Sequence, residues 1–198
     1  MLKEFKKGKA LVAGCDEAGR GCLAGPVFAA AVILPQGYKH PLLNDSKKMK
    51  ESDRDLLAEE IKGMAIAYAI AMCDHEEIDR INILKASFLA MHRAVDQLKK
   101  RPEWLLIDGN RFTPYPDTIH QCVVGGDGVY TCIAAASVLA KTSRDAYVME
   151  LHKQYPQYGW DRNKAYATKS HRDALIKFGY SPVHRKSFRL DYQTKLDL

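Results

Sequence analysis

The stretch VAGCDEAGRGCLAG, residues 12–25, decides how the rest of this sequence is interpreted. An apolar run leads into two adjacent acids, Asp16 and Glu17, and then into a loop with glycines on both sides of Arg20. Carboxylates bind hard cations such as Mg²⁺, glycine lets the backbone approach a ligand closely, and arginine pairs with phosphate. The stretch predicts a strand that delivers carboxylates to a metal site. Taken alone, it also fits a surface turn with an exposed Asp16–Arg20 ion pair.

Length and composition indicate one globular domain. The chain has 198 residues, of which 46% are hydrophobic and 27% are charged, as in ordinary soluble proteins. We find neither an apolar run of ~20 residues that would span a membrane nor the apolar region of a secretory signal. The five cysteines are an odd number without a C-x-x-C pair, which argues against a disulfide scaffold and a zinc site. We expect a cytoplasmic protein with no membrane partner.

The net charge of +6 is unevenly distributed. Residues 1–140 carry equal numbers of basic and acidic side chains, so the whole excess lies in residues 141–198. A basic segment beside an acid-bearing core is typical of proteins that hold a polyanion against a metal site. A merely solvated basic surface explains the charge equally well.

Hydrophobic periodicity and turn residues predict an α/β fold. The first two strands should form a hairpin-like pair, and the third should be buried on both faces. The strands are expected at residues 9–15, 25–34, 64–73, 104–108 and 118–124. The helices are expected at residues 52–63 (capped by Ser52), 79–100, 130–152 and 169–178.

The order of these elements predicts a mixed five-stranded sheet flanked by helices, with a C-terminal helical extension. The core should span residues 1–152, and a basic extension over residues 153–198 should complete a substrate groove within a single domain. The run Ala134-Ala135-Ala136 offers almost no side-chain bulk, so another element should pack close against the long helix that carries it.

Acids beside glycine follow three of the predicted strands. They are Asp16-Glu17, Asp108 before Gly109, and Asp127 after Gly126. Ligands collect at the carboxyl ends of strands in α/β sheets, and clustered carboxylates repel one another unless cations lie between them. An all-oxygen site favours Mg²⁺ or Mn²⁺, and two such ions ~3.5–4 Å apart would clamp the oxygens of a phosphodiester. Any one of these acids could instead be an ordinary turn residue.

With these motifs in place, the sequence resembles type 2 ribonuclease H, the bacterial ribonuclease HII family. The resemblance rests on motif blocks that keep their order over almost the whole chain. These blocks are DEAGRG and LAGPV, LNDSKK (43–48), LIDGN (106–110), Gly126-Asp127, IAAASVLAK (133–141), Arg144-Asp145, YPQYG (155–159) and HRKSF (184–188).

The resemblance implies a ribonuclease H-like fold and an endonuclease. Its substrates would be the RNA strand of RNA–DNA hybrids and single ribonucleotides embedded in duplex DNA, cut on the 5′ side. It places four metal-binding catalytic acids at Asp16, Glu17, Asp108 and Asp127, which hold two divalent ions, Mg²⁺ or Mn²⁺. Hydrolysis would leave a 3′-OH and a 5′-phosphate.

The resemblance also assigns substrate-binding residues. Gly19-Arg20-Gly21 would recognise the 2′-OH and the phosphate of the ribonucleotide, and Tyr166 would stack on its sugar and sense the 2′-OH. The expected phosphate contacts are Lys47, His184, Arg185 and Ser187. We interpret Asp145, in the Arg-Asp pair, as a supporting residue.

Four positions depart from the family pattern. Cys22 stands where proline is usual, Ala165 and Ala167 stand where glycine is frequent, and Gly125 replaces a lysine. The backbone around Tyr166 should therefore be stiffer, and one phosphate contact should be lost. The C-terminal residues 193–198 lack the aromatic pair of a clamp-binding peptide, so we expect no clamp-binding peptide there. We also expect a monomer without an obligate protein partner.

Two other function classes stay open at this stage. A DNA strand-transferase or junction nuclease of the same fold would share the acids but would cut all-DNA substrates. A basic binding module without catalysis would bind nucleic acid equally well in EDTA. A third class, a metal-free ribonuclease, is not kept, because it would need a histidine pair that cannot be assigned from the sequence.

Overall fold

The computed structural model describes residues 2–5, 8, 10–43 and 49–188. Its centre is one five-stranded sheet with the strand order β3-β2-β1-β4-β5. β1 is antiparallel to β2, and β2 to β3, whereas β4 is parallel to both β1 and β5. The strands are β1 (Val12–Ala18), β2 (Val27–Ile33), β3 (Ala67–Cys73), β4 (Trp104–Asp108) and β5 (Ile119–Val123). The predicted mixed sheet and its opening hairpin are confirmed.

Helices cover both faces of this sheet. α3 packs on one face against β2 and β3, and α4 packs on the other face across β1 and β2, with α1 beside it. The helices are α1 (Glu51–Met64), α2 (His75–Ile81), α3 (Ile83–Asp96), α4 (Thr131–Gln154), α5 (Trp160–Asn163) and α6 (Lys169–Phe178). None of the helices in the described part of the chain combines the length and the apolarity needed to cross a membrane.

α4 lies unusually close to the central strand. A Cβ atom added to Gly14 in β1 would lie 2.2 Å from the carbonyl carbon of Cys132 at the start of α4. One turn further on, Ala134, Ala135 and Ala136 are fully buried. Small residues on both elements therefore allow the approach, as the alanine run predicted. The long apolar surface that α4 buries fixes its position relative to β1 and hence to the acids that β1 carries.

Two predicted helix boundaries were wrong. The single helix expected over residues 79–100 is two helices, because Asn82 has a φ of 68° and interrupts the helical backbone. Its side-chain oxygen accepts hydrogen bonds from the backbone N–H groups of Leu84 and Lys85, so Asn82 caps α3. α1 begins after Lys50, without a side-chain cap, and the hydroxyl of Ser52 donates to Asp53 instead of capping the helix.

The third strand is also different from the prediction. β3 was expected to be buried on both faces, but its residues alternate between buried and more exposed positions. Tyr68 and Met72 lie on its exposed side. The reason is topological, because β3 is an edge strand of the sheet and the helix on its buried side is α3. An apolar run of this kind does not reveal which strand is at the edge.

The C-terminal part packs around a separate apolar cluster that includes Trp160, Tyr158 and Leu175. The loop after β1 is part of this cluster and is pinned to it on two sides. The N–H of Leu23 donates to the carbonyl of Ala165 at 2.8 Å, and the carbonyl of Leu23 accepts from the N–H of Arg185 at 2.8 Å. The C-terminal residues thus support the loop that follows the acids.

Candidate active site

Three of the predicted acids line one cavity. Asp16 and Glu17 lie within the last residues of β1 rather than after it, and Asp108 is the last residue of the parallel neighbour β4. The register pairs Cys15 with Ile107, which brings the next residue of each strand to the same edge of the sheet. All three carboxylates line a cavity of about 610 Å³.

The electrostatics of Asp16 reflect this crowding. Its side chain is buried, and burial raises its pKa well above the usual value. The negative charges of Glu17 and Asp108 raise the pKa further. Hydrogen bonds from the Ser137 hydroxyl and from the Glu17 N–H, the latter 2.7 Å long, act in the opposite direction. Mutual repulsion of carboxylates in a buried cavity is the condition that a bound cation relieves.

Asp127 is held beside this group but does not line the cavity. It lies in a short 3₁₀ turn, Gly126–Gly128, that follows β5, and it is buried. The turn is attached to the neighbouring strand end, because the N–H of Gly126 donates to Asp108 Oδ1 at 2.7 Å. The structure therefore brings Asp127 to the same edge of the sheet.

The donor chemistry of these acids fits a hard divalent cation. Carboxylate oxygens are the ligands that Mg²⁺ and Mn²⁺ prefer, and burial together with the charges of Glu17 and Asp108 raises the pKa of Asp16. Within residues 2–5, 8, 10–43 and 49–188, however, no three acidic, histidine or cysteine side chains are arranged closely enough to hold a metal ion. Asp16, Glu17 and Asp108 line the cavity and would hold one once their carboxylates move closer together.

The loop after the acids places a positive charge at the mouth of the cavity. Gly19 has a φ of 95° and is buried against Arg144, whose Nε would lie 3.3 Å from an added Cβ atom. Arg20 is exposed, and its Nη1 donates to Glu17 Oε1 at 3.0 Å. Gly19 thus lets the backbone turn tightly beside Arg144, while Arg20 faces the solvent beside the acids.

Tyr166 lines the same cavity. Its side chain is 38% exposed, and the Arg144 guanidinium lies 4.7 Å from its ring centre. The backbone before it is strained, because Lys164 and Ala165 both have positive φ values, 46° and 61°. Ala165 is one of the two alanines that replace the family's frequent glycines, so an L-residue here adopts a conformation that glycine adopts freely.

His184 and Arg185 do not contact the cavity, which corrects their assignment as phosphate ligands. Both side chains are fully buried, so neither can reach a phosphate in this structure. Arg185 donates through Nη1 to the carbonyl of Arg20 at 2.9 Å, and also to the carbonyls of Gly25 and Pro26. Burial lowers the pKa of Arg185 to about 10. Arg185 is therefore an internal support for the glycine–arginine loop.

Two further phosphate contacts were predicted, at Ser187 and at Lys47. Ser187 is exposed, but its hydroxyl and its N–H both donate to Asp79 Oδ1, at 2.6 and 2.9 Å. Lys47 lies outside the described residues.

Asp145, interpreted as a supporting residue, lies in the cavity wall and is paired with Lys141 at 2.9 Å and with Arg144 at 3.0 Å.

Sequence reasoning missed the basic wall of the cavity. Ser137, Lys141 and Asp145 are spaced four residues apart along α4, so they lie on one helix face and all line the cavity. Arg54 joins them from α1 and lies 3.5 Å from Asp145. The i, i+4 spacing was visible in the sequence, but only the packing of α4 across β1 shows that this face meets the acids.

Comparison with known proteins identifies the family. The model of the family described as Ribonuclease HII matches residues 13–195. A ribonuclease HII from Parabacteroides distasonis is 60% identical over 190 residues, which cover 96% of each chain. Many further curated relatives match as well.

Solved structures agree on the fold. The ribonuclease HII of Archaeoglobus fulgidus, determined in a complex with PCNA, gives a TM-score of 0.73 at 23% identity, covering 95% of this chain and 100% of that one. Bst ribonuclease HIII in complex with Mn²⁺ gives 0.68 at 18% identity, covering 91% and 68%. At these identities the likeness supports the ribonuclease H-like fold, whereas the sequence relationship carries the assignment. The chain therefore belongs to the ribonuclease HII family of metal-dependent endoribonucleases.

Proposed function

We propose that this chain hydrolyses the phosphodiester on the 5′ side of ribonucleotides in duplexes, both in the RNA strand of RNA–DNA hybrids and at single ribonucleotides in DNA. The products are a 3′-OH and a 5′-phosphate. One observation carries the proposal. The acids Asp16, Glu17 and Asp108 share a single cavity with Arg20 and with the ring of Tyr166, so chemistry and sugar recognition would act on the same nucleotide.

The acids define the reacting end of the cavity. Asp16, Glu17 and Asp108, with Asp127 beside them, are proposed to hold two divalent ions, Mg²⁺ or Mn²⁺. When bound, the ions would supply positive charge that stabilises the attacking and leaving oxygens of the phosphodiester. The Mn²⁺ in the Bst ribonuclease HIII complex supports ions of this class. The Ser137 hydroxyl, which donates to Asp16, would hold that carboxylate in place.

The basic side chains of the cavity would bind the backbone of the duplex. Lys141, Arg54, Arg162 and Lys164 line the cavity together with the acids, and cations of this kind contact phosphates without reading sequence. Sequence-independent contacts are what an enzyme needs if a ribonucleotide in any context is its target. The reading of the sugar then falls to Tyr166 and to the loop of Gly19, Arg20 and Gly21.

The proposed partner is the nucleic acid alone, bound by a monomer. The Archaeoglobus fulgidus ribonuclease HII was determined in a complex with PCNA. We propose that cleavage by this chain needs no such partner, because the acids, Arg20 and Tyr166 all line one cavity of this chain.

The test uses a labelled DNA duplex with one ribonucleotide, an all-DNA duplex of the same sequence and an RNA–DNA hybrid. Each is incubated with Mg²⁺, Mn²⁺ or EDTA, and the cut ends are mapped. We expect metal-dependent cleavage 5′ of the ribonucleotide and within the hybrid, with a 5′-phosphate on the product. Cleavage of the all-DNA duplex would move the protein to the strand-transferase or junction-nuclease class. Binding without cleavage in any metal, or a 2′,3′-cyclic phosphate product, would refute the proposal.

A further inference from the structure

Two buried histidines form a continuous hydrogen-bonded chain that ends on the backbone of Tyr166. His184 Nδ1 lies 2.9 Å from the N–H of Ser181, and His184 Nε2 lies 3.2 Å from His171 Nε2. His171 Nδ1 lies 3.0 Å from the carbonyl oxygen of Tyr166. Trp160 Nε1 also donates to His171 Nε2, at 2.9 Å. We call His184, His171 and Trp160 the imidazole chain. Both histidines are completely buried.

The two ends of the chain fix where every proton lies. The N–H of Ser181 can only donate, so His184 Nδ1 accepts and the neutral ring carries its hydrogen on Nε2. That hydrogen points at His171 Nε2, which must therefore accept, as it also does from the indole N–H of Trp160. The remaining hydrogen of His171 lies on Nδ1 and is donated to Tyr166. The direction is imposed by backbone groups whose roles cannot be exchanged.

This arrangement requires both rings to be neutral. Burial lowers the pKa of His184 to about 4, with a smaller contribution from the charge of His171. Burial also lowers the pKa of His171 below its usual value. A second proton on His184 would lie on Nδ1 and face the N–H of Ser181. A second proton on His171 would lie on Nε2 and face the indole N–H of Trp160. In both cases two donors would point at each other. The other titratable groups near the chain are the Tyr158 and Tyr180 rings against His184 and the more distant His75.

The contact with Tyr166 is placed where the backbone most needs support. Lys164 and Ala165 hold positive φ values immediately before it, and such conformations persist only when the surroundings over-determine them. The carbonyl of Tyr166 accepts from His171 and from the N–H of Thr168. The Tyr166 ring then extends into the cavity and packs on Arg144. A shift of the carbonyl would move the ring relative to the acids.

We propose that His171 and His184 are positioning residues, which hold the Tyr166 backbone through the imidazole chain and thereby set the rate of cleavage at ribonucleotides. The inference rests on the proposed function, in which Tyr166 senses the sugar. It assigns to the buried pair a task in turnover rather than in substrate affinity, because neither histidine reaches the cavity.

The first test concerns the tautomers and needs neither metal nor substrate. Long-range ¹H–¹⁵N correlation spectra of the full chain should show His171 as the Nδ1–H tautomer and His184 as the Nε2–H tautomer at neutral pH. Neither ring should titrate near its usual pKa of about 6.5. The opposite tautomer at either position, or titration of either ring near pH 6.5, would overturn the proposal whatever the protein cleaves.

The second test compares two substitutions at one position. In His171→Asn the amide N–H takes the place of Nδ1–H and can still donate to Tyr166. His171→Leu fills more of the buried space but cannot donate. We expect His171→Leu to lower kcat on the single-ribonucleotide duplex by about 10-fold or more with KM little changed, and His171→Asn to restore most of kcat. If the histidine only packs, the leucine variant should be at least as active as the asparagine variant, which would refute the proposal.

A destabilised control separates misplacement from partial unfolding. Leu175→Ala removes a buried side chain from the same apolar cluster but leaves every hydrogen-bonding group of the imidazole chain in place. Below its unfolding temperature it should keep the wild-type kcat. An equal loss of kcat in Leu175→Ala and His171→Leu would assign the effect to stability and refute the positioning role. If the wild-type protein fails to cleave at ribonucleotides, the proposed function fails instead, and the tautomer result stands by itself.

Discussion

Replacing Gly14 by alanine should damage this protein more than the size of one methyl group suggests. The added Cβ atom would lie 2.2 Å from the carbonyl carbon of Cys132, 2.4 Å from its oxygen and 2.4 Å from the nitrogen of Ile133. Carbon atoms in ordinary contact are ~3.5–4.0 Å apart, so α4 would have to move away from β1 by roughly 1.3–1.8 Å. All three atoms belong to the backbone, which cannot yield as a flexible side chain does.

The magnitude follows from the rigidity of this contact. Overpacking a core costs about 1–3 kcal/mol and occasionally more, and a clash of backbone with backbone belongs at the upper end, about 3 kcal/mol. For a chain of this size, that corresponds to a melting temperature lower by roughly 6–12 °C. Activity should fall as well, because Asp16 lies two residues after Gly14 and its hydrogen-bond donor Ser137 lies on α4.

Urea denaturation and thermal unfolding of purified Gly14→Ala measure this effect. The matched control is Gly63→Ala, since an added Cβ atom there has no neighbour within 4 Å and the glycine lies in the last turn of α1. This substitution should be neutral or stabilise by up to about 0.5–1 kcal/mol, the range for the middle of a helix. If Gly14→Ala unfolds within about 0.5 kcal/mol of the wild type, a range usual for harmless surface changes, the tight β1–α4 contact is not what positions the acids.

Three further changes test other parts of the molecule. Asp108→Asn should abolish cleavage while fluorescence anisotropy still detects duplex binding, and cleavage near the wild-type rate would exclude this acid as a metal ligand. The free energy of unfolding should fall by about 3 kcal/mol as the pH drops from about 6.5 to about 4. The reason is that His184 is protonated near its usual pKa in the unfolded chain, whereas its pKa in the folded protein is about 4. The variant His184→Leu should show a smaller loss of stability over this pH range, and parallel curves for the two proteins would contradict the assignment. Arg185→Lys should lower the free energy of unfolding by about 2–4 kcal/mol, since one ammonium group cannot reach the three carbonyls to which the guanidinium donates. An unchanged midpoint of urea denaturation would show that these hydrogen bonds contribute nothing to stability.

The sequence allowed the sheet and the acids to be predicted because their signals are local. β4 and α6 were predicted with the boundaries that the structure has, and each acid followed an apolar run and stood beside glycine or a second acid. The placement of Asp16 and Asp108 at one edge needed only the general rule that strand ends in an α/β sheet collect ligands. Such rules depend on a few neighbouring residues, which a sequence displays.

The supports of the site have no comparable local signal. The contact of Arg185 with the carbonyl of Arg20 joins residues 165 positions apart. His171 lies on α6, which ends at Phe178, and His184 follows in the irregular segment after it, so no helical or strand spacing relates the two residues. The motif around residue 184 predicted phosphate contacts because basic residues near a nucleic-acid site usually touch phosphate. In the structure His184 and Arg185 are buried and do not line the cavity. The burial of an irregular C-terminal segment depends on the packing of the whole chain, which the local sequence does not reveal.

The adjacent residues His184 and Arg185 explain why a short turn can matter to a site it never touches. Arg185 donates to the carbonyls of Arg20, Gly25 and Pro26 and so holds the glycine–arginine loop. His184 is hydrogen-bonded to His171, which contacts the carbonyl of Tyr166. The loop and the Tyr166 segment are also joined directly, since the N–H of Leu23 donates to the carbonyl of Ala165. The peptide unit between residues 184 and 185 is therefore a second link between them, and a shift of this unit should disturb the loop and the Tyr166 backbone together.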